Sequence, residues 1–429
     1  MRVLIINASQ LLTLTGPDRP RAGREMSSLG LIRDGAVLID EEGLIIASGP
    51  RDRVQKQAGE RISYQLIDAG GRVVLPGFVD SHAHPVFSGP RLDDFERRIQ
   101  GRSYADIAAM GGGILWTVNG VRGASEQSLA DGLRAWARLF LQAGTSTLEA
   151  KSGYGLSLED ELKILRVIRA VGREGPLELI ATFLGAHAVP PELKGRKDEY
   201  MRRVCEEMLP VVSREGLARF VDVFCDEGYF TPEHAERLFK AASQAGLGAK
   251  IHAEQLSLTG GSRLAVRAAA CSADHLDHID DAGVQALVGS RTVAGLVPGS
   301  NYFFNKPYPP ARRLIDSGAA VALATDFNPG TCPCWDMRMI LSIACTQMRM
   351  SPAEALVAAT INGAWALGLG KTHGSLEPGR QADILCYEAE DYREIPYYFG
   401  RGSVAWLMKR GQLVYENATM ASQSVRDGV

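Results

Sequence analysis

The chain has 429 residues, which is enough for one large barrel and a smaller satellite domain. Hydrophobic residues make up 45% of it and the formal net charge is −3, as in a globular protein with an ample core. That charge provides no basic surface for nucleic acid, and no apolar stretch approaches the length of a membrane span. The composition therefore predicts a protein with neither nucleic-acid nor membrane partners.

Cysteine usage and the first residues bear on the compartment. Seven cysteines, an odd number, are scattered through apolar segments, and Cys332 and Cys334 lack the two-residue spacer of a redox motif. The first apolar run breaks at Asn7, too early for the core of a signal peptide. These features predict reduced thiols and a cytoplasmic protein.

Short β-type runs occupy both ends of the chain and indicate one small domain. They cover residues 3–6, 36–39 and 44–47 near the start, and 384–387, 404–408 and 412–415 near the end. We expect the two ends to pair into a small β-sandwich formed by residues 1–72 and 371–429. The catalytic body, residues 73–370, is then inserted between its two halves.

Eight further apolar runs follow in the middle of the chain, most of them separated by helical patterns. They are 77–82, 146–151, 179–187, 221–226, 249–252, 273–278, 293–298 and 320–326. Ser125, Ser157 and Thr231 precede amphipathic stretches, and Ser351 with Glu354 forms a capping box. Eight such units predict an α/β protein with a (β/α)8 barrel, whose chemistry lies at the carboxyl ends of the strands.

Metal-ligand residue types stand at these strand ends. His82 and His84 lie two apart after the first run, so both imidazoles point the same way if the segment is extended. With His252 on the fifth run and Asp326 on the eighth, they predict a site for one divalent or trivalent ion, zinc or iron, per subunit. A metal there lowers the pKa of a water molecule. Asp326 can accept the water's proton, and His275 on the sixth run can donate to the developing oxyanion.

A structural role is the simpler interpretation of any one of these histidines. A lone histidine near a strand end is more often a satisfied core residue than a ligand. Their joint placement on strands one, five, six and eight of one barrel favours the metal site instead. His234, His278 and His373 have no such placement, and we expect them to be structural or exposed.

This arrangement resembles the amidohydrolase superfamily of metal-dependent barrel hydrolases. Residues 374–384, Gly-Ser-Leu-Glu-Pro-Gly-Arg-Gln-Ala-Asp-Ile, are similar to the stretch by which its members return to the small β domain. Its two-metal members usually carry a carboxylated lysine on strand four. Strand four here ends Cys225-Asp226-Glu227 and Lys151 lies on strand two, so the resemblance implies a single metal.

Longer motifs resemble the imidazolonepropionases within that superfamily. They lie at residues 111–114, 151–156, 182–190, 324–331 and 395–400. The resemblance extends from about residue 70 to residue 415. It implies that water opens the ring of 4-imidazolone-5-propanoate to give N-formimidoyl-L-glutamate, the third step of histidine degradation. The expected partner is this small-molecule substrate, and a homodimer is expected from the architecture.

The same resemblance implies a set of substrate-binding residues. Arg91, shortly after the histidine pair, is expected to bind the propionate group, because a guanidinium matches a carboxylate with two hydrogen bonds. Tyr154 and His187 end strands two and three, where they can contact the ring or the carboxylate. The remaining implied positions are Gln255, Asn328, Gly330 and Thr331.

Two positions depart from the patterns of relatives. Deaminase relatives carry a glutamate three residues after the strand-five histidine, but Gln255 stands there, and an amide cannot shuttle protons. Glu254 is next to it but faces away if the segment is extended. Trp116 replaces a usually small residue, which concerns the packing of the loop after Gly113.

Two other functions stay open at this point. A deaminase of the same superfamily would release ammonia from a ring amidine without opening the ring. The other is a non-catalytic assembly protein derived from a barrel hydrolase, which would have lost metal ligands. The presence of the full set argues against this alternative: His82, His84, His252, His275 and Asp326.

Overall fold

The computed structural model describes residues 1–59, 64–102, 106–107, 110–400 and 403–417. Its strands, in chain order, are β1 (Arg2–Leu12), β2 (Leu31–Ile39), β3 (Ile45–Pro50), β4 (Tyr64–Asp68), β5 (Val73–Pro76), β6 (Phe78–Asp80), β7 (Thr145–Lys151), β8 (Glu178–Ala186), β9 (Phe220–Cys225), β10 (Gly248–Ala253), β11 (Ser272–His275), β12 (Val293–Leu296), β13 (Val321–Leu323), β14 (Ile384–Tyr387), β15 (Val404–Lys409) and β16 (Gln412–Glu416).

The helices of the same residues are α1 (Arg51–Ala58), α2 (Leu92–Ile99), α3 (Ile114–Gly123), α4 (Glu126–Gln142), α5 (Leu158–Glu174), α6 (Lys197–Arg203), α7 (Leu209–Arg214), α8 (Pro232–Gln244), α9 (Gly261–Arg267), α10 (Asp281–Leu287), α11 (Pro298–Phe304), α12 (Ala311–Ser317), α13 (Met337–Met348), α14 (Pro352–Ala358), α15 (Ile361–Ala366) and α16 (Glu394–Tyr397). Among the described residues, no helix has the length and apolar character that crossing a bilayer requires.

Strands β6 to β13 form a parallel barrel in which each strand pairs with the next one along the chain. The barrel closes just beyond the ends of β6 and β13. There the Asp326 N–H donates to the His82 carbonyl at 2.9 Å, and the His84 N–H donates to the Phe327 carbonyl at 2.8 Å. All eight predicted strands are present, so the predicted (β/α)8 class is confirmed.

Six of the predicted runs extend beyond the observed strands, and in two of them, 273–278 and 320–326, the run includes residues with left-handed backbone. Strand β11 ends at His275, because His275 and Leu276 have φ angles of 80° and 63°. Strand β13 ends at Leu323, and Asp326 has a φ of 51°. Left-handed backbone cannot continue a strand. Strained residues therefore follow the strands at the end of the barrel where the predicted site lies.

The predicted helix starts are confirmed by their caps. The side chains of Ser125 and Ser157 each accept from the backbone N–H three residues further on, before α4 and α5. Ser351 and Glu354 form the predicted capping box of α14. These contacts satisfy N–H groups that the first turn of a helix leaves unpaired.

The second sheet takes strands from both ends of the chain. Its order is β16-β15-β14-β5-β1-β2-β3, and β4 pairs with β1. The predicted pairing of the two ends is confirmed, as one mixed sheet. Strand β5 joins its halves, parallel to β1 and antiparallel to β14, so the sheet extends to Pro76. The division of the chain at residues 72 and 370 stays a prediction.

The interior of the barrel is charged on the side that faces the predicted site. Glu149, Lys151, Asp222, Lys250 and Asp274 are at most 1% exposed. Branched apolar residues usually fill this space in (β/α)8 barrels. The charged groups therefore support the strand ends from within, next to the histidines that follow.

Candidate active site

The four side chains predicted as metal ligands meet at the carboxyl end of the barrel. Asp326 Oδ1 lies 3.7 Å from His82 Nε2 and 3.6 Å from His84 Nε2. His252 Nε2 lies 3.4 Å from His84 Nε2. All four side chains are buried. Three strands that are distant in the chain thus bring their donor atoms to one point.

These separations fit a single bound metal ion. Ligand atoms about 2.1 Å from a tetrahedral zinc ion stand about 3.4 Å apart. The buried His82 Nε2 has no hydrogen-bond partner among the described residues, as expected of an atom whose partner is a metal. Imidazole nitrogen and carboxylate oxygen are donors that zinc and iron both accept. The donor set therefore fits a divalent metal.

Two buried carboxylates orient the imidazoles of His82 and His252. Asp274 Oδ2 lies 2.7 Å from His82 Nδ1, and Asp222 Oδ1 lies 3.1 Å from His252 Nδ1. A carboxylate accepts, so each Nδ1 carries the proton and each Nε2 presents its lone pair to the metal position.

His275 lies beside these imidazoles. Its ring centroid is 5.3 Å from that of His82 and 5.2 Å from that of His252. Among the described residues, neither buried nitrogen has a hydrogen-bond partner. Burial, together with His252, lowers the pKa of His275 well below its usual value. The imidazole is therefore neutral and keeps one N–H for a group bound in front of it.

One cavity of about 570 Å³ opens onto these residues. Every predicted site residue except His82 lines it: His84, Arg91, Tyr154, His187, His252, Gln255, His275, Asp326, Asn328, Gly330 and Thr331. Sequence reasoning missed several other lining residues, among them Asp94, Arg98, Asn301 and Lys306. Asp94 and Arg98 follow Arg91 at helical spacing, but the sequence does not show which face of that helix meets the barrel.

Arg91 lies against the turn that follows Asp326. Its Nε donates to Thr117 Oγ1 at 2.7 Å. A Cβ added at Gly330 would stand 2.3 Å from Arg91 Nη1, so the glycine makes room for the guanidinium. Arg98 Nη2 donates to the Gly330 carbonyl at 3.2 Å. Two guanidinium groups thus lie at one wall of the cavity, which suits an anionic ligand group.

His187 and Tyr154 form another part of the wall. His187 Nδ1 lies 3.0 Å from the Gly153 carbonyl, which only accepts, so this nitrogen is protonated and Nε2 is an acceptor. The His187 ring stacks on His84 with centroids 5.2 Å apart, and the Tyr154 ring lies 5.5 Å away. Burial, together with the neighbouring His252, lowers the pKa of His187 to about 3. His187 is therefore neutral at physiological pH.

The turn after Asp326 is held together by the side chain of Asn328. Its Oδ1 accepts from the N–H groups of Gly330 and Thr331, at 2.9 and 2.7 Å. Its Nδ2 donates to the Asp326 carbonyl and to Thr331 Oγ1, both at 2.6 Å. The amide that the sequence assigned to the substrate is thus engaged within the turn. Its contact with a substrate stays a prediction.

Gln255 lines the cavity whereas Glu254 points elsewhere. The Glu254 carboxylate accepts from the N–H and the hydroxyl of Ser262, at 3.3 and 3.1 Å. This confirms the expectation that Glu254 faces away. Gln255 lines the cavity, and its backbone N–H donates to Asp226 Oδ2 at 2.8 Å. Of these two neighbouring residues, the glutamine and not the acid therefore lies at the cavity.

Several other residues have structural contacts. Lys151 Nζ lies 2.6 Å from Asp222 Oδ2 and is fully buried, so it acts as an ion-pair partner. His234 contacts Asp198 and His373 contacts Glu178, both away from the cavity, as expected. The His278 N–H donates to the Glu254 carbonyl, and the partly exposed Trp116 approaches Gly89.

The barrel, the second sheet and the donor set define the class of protein. The model of the amidohydrolase family matches residues 73–414. Solved structures agree in fold. An adenosine deaminase from Xanthomonas campestris with bound zinc is 18% identical, covers 99% of this chain and 97% of that one, and has a TM-score of 0.72. Guanine deaminase from E. coli is 16% identical, with 97% and 99% covered and a TM-score of 0.69. The chain belongs to the amidohydrolase family.

Relatives of much higher identity are imidazolonepropionases. The imidazolonepropionase of Solibacter usitatus is 46% identical over 416 residues, which cover 96% of this chain and 99% of that protein. The imidazolonepropionase of Symbiobacterium thermophilum is 45% identical over 417 residues, with 96% and 97% covered. Within the amidohydrolases, the chain therefore groups with the imidazolonepropionases.

Proposed function

We propose that this protein opens the ring of 4-imidazolone-5-propanoate with water and gives N-formimidoyl-L-glutamate, the third step of histidine degradation. The observation that carries the proposal is 46% identity to an imidazolonepropionase over nearly the whole length of both chains. The amide of Gln255 in the cavity supports it further, because a deaminase would need an acid there to move protons to the ring.

A bound divalent metal supplies a water of lowered pKa and polarises the carbonyl of the substrate. We propose one ion per subunit, zinc or iron, held by His82, His84, His252 and Asp326. Zinc is supported by the zinc bound to the adenosine deaminase of similar fold. Metal analysis of the purified protein distinguishes the two ions.

Asp326 is proposed to transfer a proton during the reaction, and His275 is proposed to stabilise the negative charge that develops on the substrate oxygen. The Asp326 carboxylate lies 3.7 Å and 3.6 Å from His82 Nε2 and His84 Nε2, so it is within reach of a water molecule at the metal position. It takes a proton from the attacking water and returns it to the amidine nitrogen when the carbon–nitrogen bond breaks. The His275 N–H donates to the oxygen on which negative charge develops.

The cavity wall is proposed to hold the substrate by its anionic and ring groups. Arg91 pairs with the propionate, and the acceptor Nε2 of His187 takes a ring N–H. Tyr154 and Gln255 contact the ring from the sides. The turn residues Asn328, Gly330 and Thr331 are proposed to contact the substrate next to Asp326.

We also propose a cytoplasmic homodimer. Seven free cysteines support a reducing compartment. Exposed apolar side chains on α2, Leu92 and Ile99 at 66% and 69%, offer a surface that a second copy can cover.

The proposal is tested by the ultraviolet absorbance of freshly made substrate with metal-loaded protein. Asp326→Asn is expected to lower kcat by about 10³-fold, because it removes both a ligand and the proton acceptor. Asp316→Asn, an exposed aspartate on α12, is the control and should behave as wild type. Equal loss of absorbance in all three samples would mean spontaneous decay and would contradict the assignment. Ammonia release from a purine or pyrimidine instead would establish a deaminase.

A further inference from the structure

The charged side chains inside the barrel alternate between negative and positive. Three carboxylates and two ammonium groups form what we call the charged network: Glu149, Lys151, Asp222, Lys250 and Asp274. Burying charges is costly unless each one is paired. The pairing that the structure shows leads from one metal-ligand histidine to another.

One arm of the network starts at His252. Its Nδ1 is 3.1 Å from Asp222 Oδ1. The other carboxylate oxygen of Asp222 accepts from Lys151 Nζ at 2.6 Å. Lys151 Nζ also lies 2.9 Å from Glu149 Oε1. Each charge on this arm therefore has a neighbour of opposite sign.

The second arm starts at His82 and ends on the same glutamate. His82 Nδ1 is 2.7 Å from Asp274 Oδ2, and that oxygen is 3.8 Å from Lys250 Nζ. Lys250 Nζ lies 2.9 Å from Glu149 Oε2 and donates to the Ser81 carbonyl at 2.7 Å. The two arms thus meet at Glu149. Together they form a chain of alternating charges that runs from His252 to His82.

The backbone leaves space for this arrangement. A Cβ added at Gly295, opposite Asp274 on β12, would stand 2.1 Å from Asp274 Oδ1. Any larger residue there would displace the carboxylate that holds His82. Glycine at this position is therefore required by the observed conformation of Asp274.

We propose that Glu149, Lys151 and Lys250 are positioning residues for the metal, acting through Asp222 and Asp274 on the ligand imidazoles. The inference rests on the metal site of the proposed function. The lysines hold the two aspartates in the conformations that accept from Nδ1, and Glu149 holds both lysines. The network therefore fixes the direction of two of the four metal–ligand bonds.

The test measures zinc affinity of the metal-free, full-length protein by competition with a chelator, without substrate. Lys250→Met is expected to weaken zinc binding by about 10- to 100-fold, as other partners behind metal ligands do. If the lysines acted only through their positive charge, removing the charge of Lys250 would strengthen the binding of the zinc cation. Unchanged or tighter zinc binding in Lys250→Met would therefore overturn the proposal.

Removing both members of one ion pair, Glu149 and Lys250, tests whether these residues act together. Glu149→Gln alone removes the carboxylate nearest to Lys250 and is expected to weaken zinc binding by about tenfold. Because Glu149 is proposed to act partly through Lys250, the double variant should lose less zinc affinity than the product of the two single losses. A double variant in which the two losses simply multiply would overturn the proposal, and so would unchanged zinc binding in Glu149→Gln, which tests it even if Lys250→Met does not fold.

Lys409→Met is the matched control. Lys409 is also a buried lysine, 2.7 Å from both Glu178 and Asp383, but it lies at the other end of the barrel and contacts no ligand histidine. The Lys409→Met substitution should lower Tm and leave the zinc affinity unchanged. The same behaviour in Lys250→Met would make the network merely structural. A wild-type protein that binds no zinc or iron would overturn the metal site as well. Normal zinc binding without hydrolysis would contradict only the proposed reaction.

Discussion

Gly330 and Arg91 are in close contact at the cavity wall, and their roles depend on each other. The guanidinium lies where a Cβ at residue 330 would be, with Nη1 at 2.3 Å and Cζ at 2.8 Å from that position. Thr117 holds the Nε end of the same side chain. The far end of Arg91 is flexible, so a methyl group at residue 330 would move it rather than unfold the turn.

Gly330→Ala is accordingly expected to raise KM for 4-imidazolone-5-propanoate by about tenfold while kcat changes much less. The physical reason is that the displaced guanidinium would lose the contact proposed for it with the propionate, in ground state and transition state alike. Steady-state kinetics provide the measurement. Gly123→Ala, where an added Cβ meets nothing within 4 Å, is the control. An unchanged KM would show that Arg91 does not bind the propionate.

At the scale of elements, one carboxylate holds the loop between β7 and α5. This loop positions two cavity residues, Tyr154 and His187. Glu161, in the first turn of α5, accepts from the backbone N–H groups of Gly153, Gly155 and Leu156 at 3.0, 2.8 and 2.9 Å. The same loop bears Tyr154, and its Gly153 carbonyl accepts from His187. A helix residue thus sets the position of side chains it does not contact.

Replacing Glu161 by glutamine turns one acceptor oxygen into a donor that faces a backbone N–H. At least one buried N–H then loses its partner, and the loop must shift. We expect KM to rise by about tenfold, while zinc affinity stays at the wild-type value because no metal ligand is on this loop. Glu159→Gln, exposed on the same helix, is the control. A fall in zinc affinity together with the rise in KM would show a general disruption instead.

At the scale of the whole molecule, an ionic cluster joins the second sheet to the barrel. Lys409, at the end of β15, lies 2.7 Å from Glu178 at the start of β8 and 2.7 Å from Asp383 before β14. His373 also contacts Glu178. Burial raises the pKa of the Glu178 carboxyl, but His373 and Lys409 outweigh it and hold that pKa well below its usual value.

This pKa shift predicts a loss of stability in acid. The unfolded chain has a glutamate pKa of about 4.3 and so binds more protons than the folded protein as the pH falls through that value. The free energy of unfolding should therefore fall between about pH 7 and about pH 3.5, by about 1–2 kcal/mol more in wild type than in Glu178→Gln. Denaturant titrations at each pH measure it. Glu174→Gln, half exposed and paired with Arg134 on the surface, should follow wild type. Parallel curves for wild type and Glu178→Gln would contradict the prediction.

The sequence by itself determined the eight barrel strands, the pairing of the two chain ends and the meeting of the predicted ligand side chains at one end of the barrel. Periodicity, strand length and helix caps are local properties, and parallel strands of a barrel bring their carboxyl ends together wherever they lie in the chain. His82, His252 and Asp326 could therefore be predicted to meet from their places at strand ends alone.

Only the tertiary structure decided how the polar groups pair. Lys151 could be read as a candidate metal bridge, but the registers of β7 against β8 and of β8 against β9 place its ammonium group between Glu149 and Asp222. The amide of Asn328 is used by its own turn, and Arg98 reaches the cavity because α2 packs with that face inward. Such pairings depend on distances between elements that are far apart in the chain, and local sequence patterns carry no information about those distances.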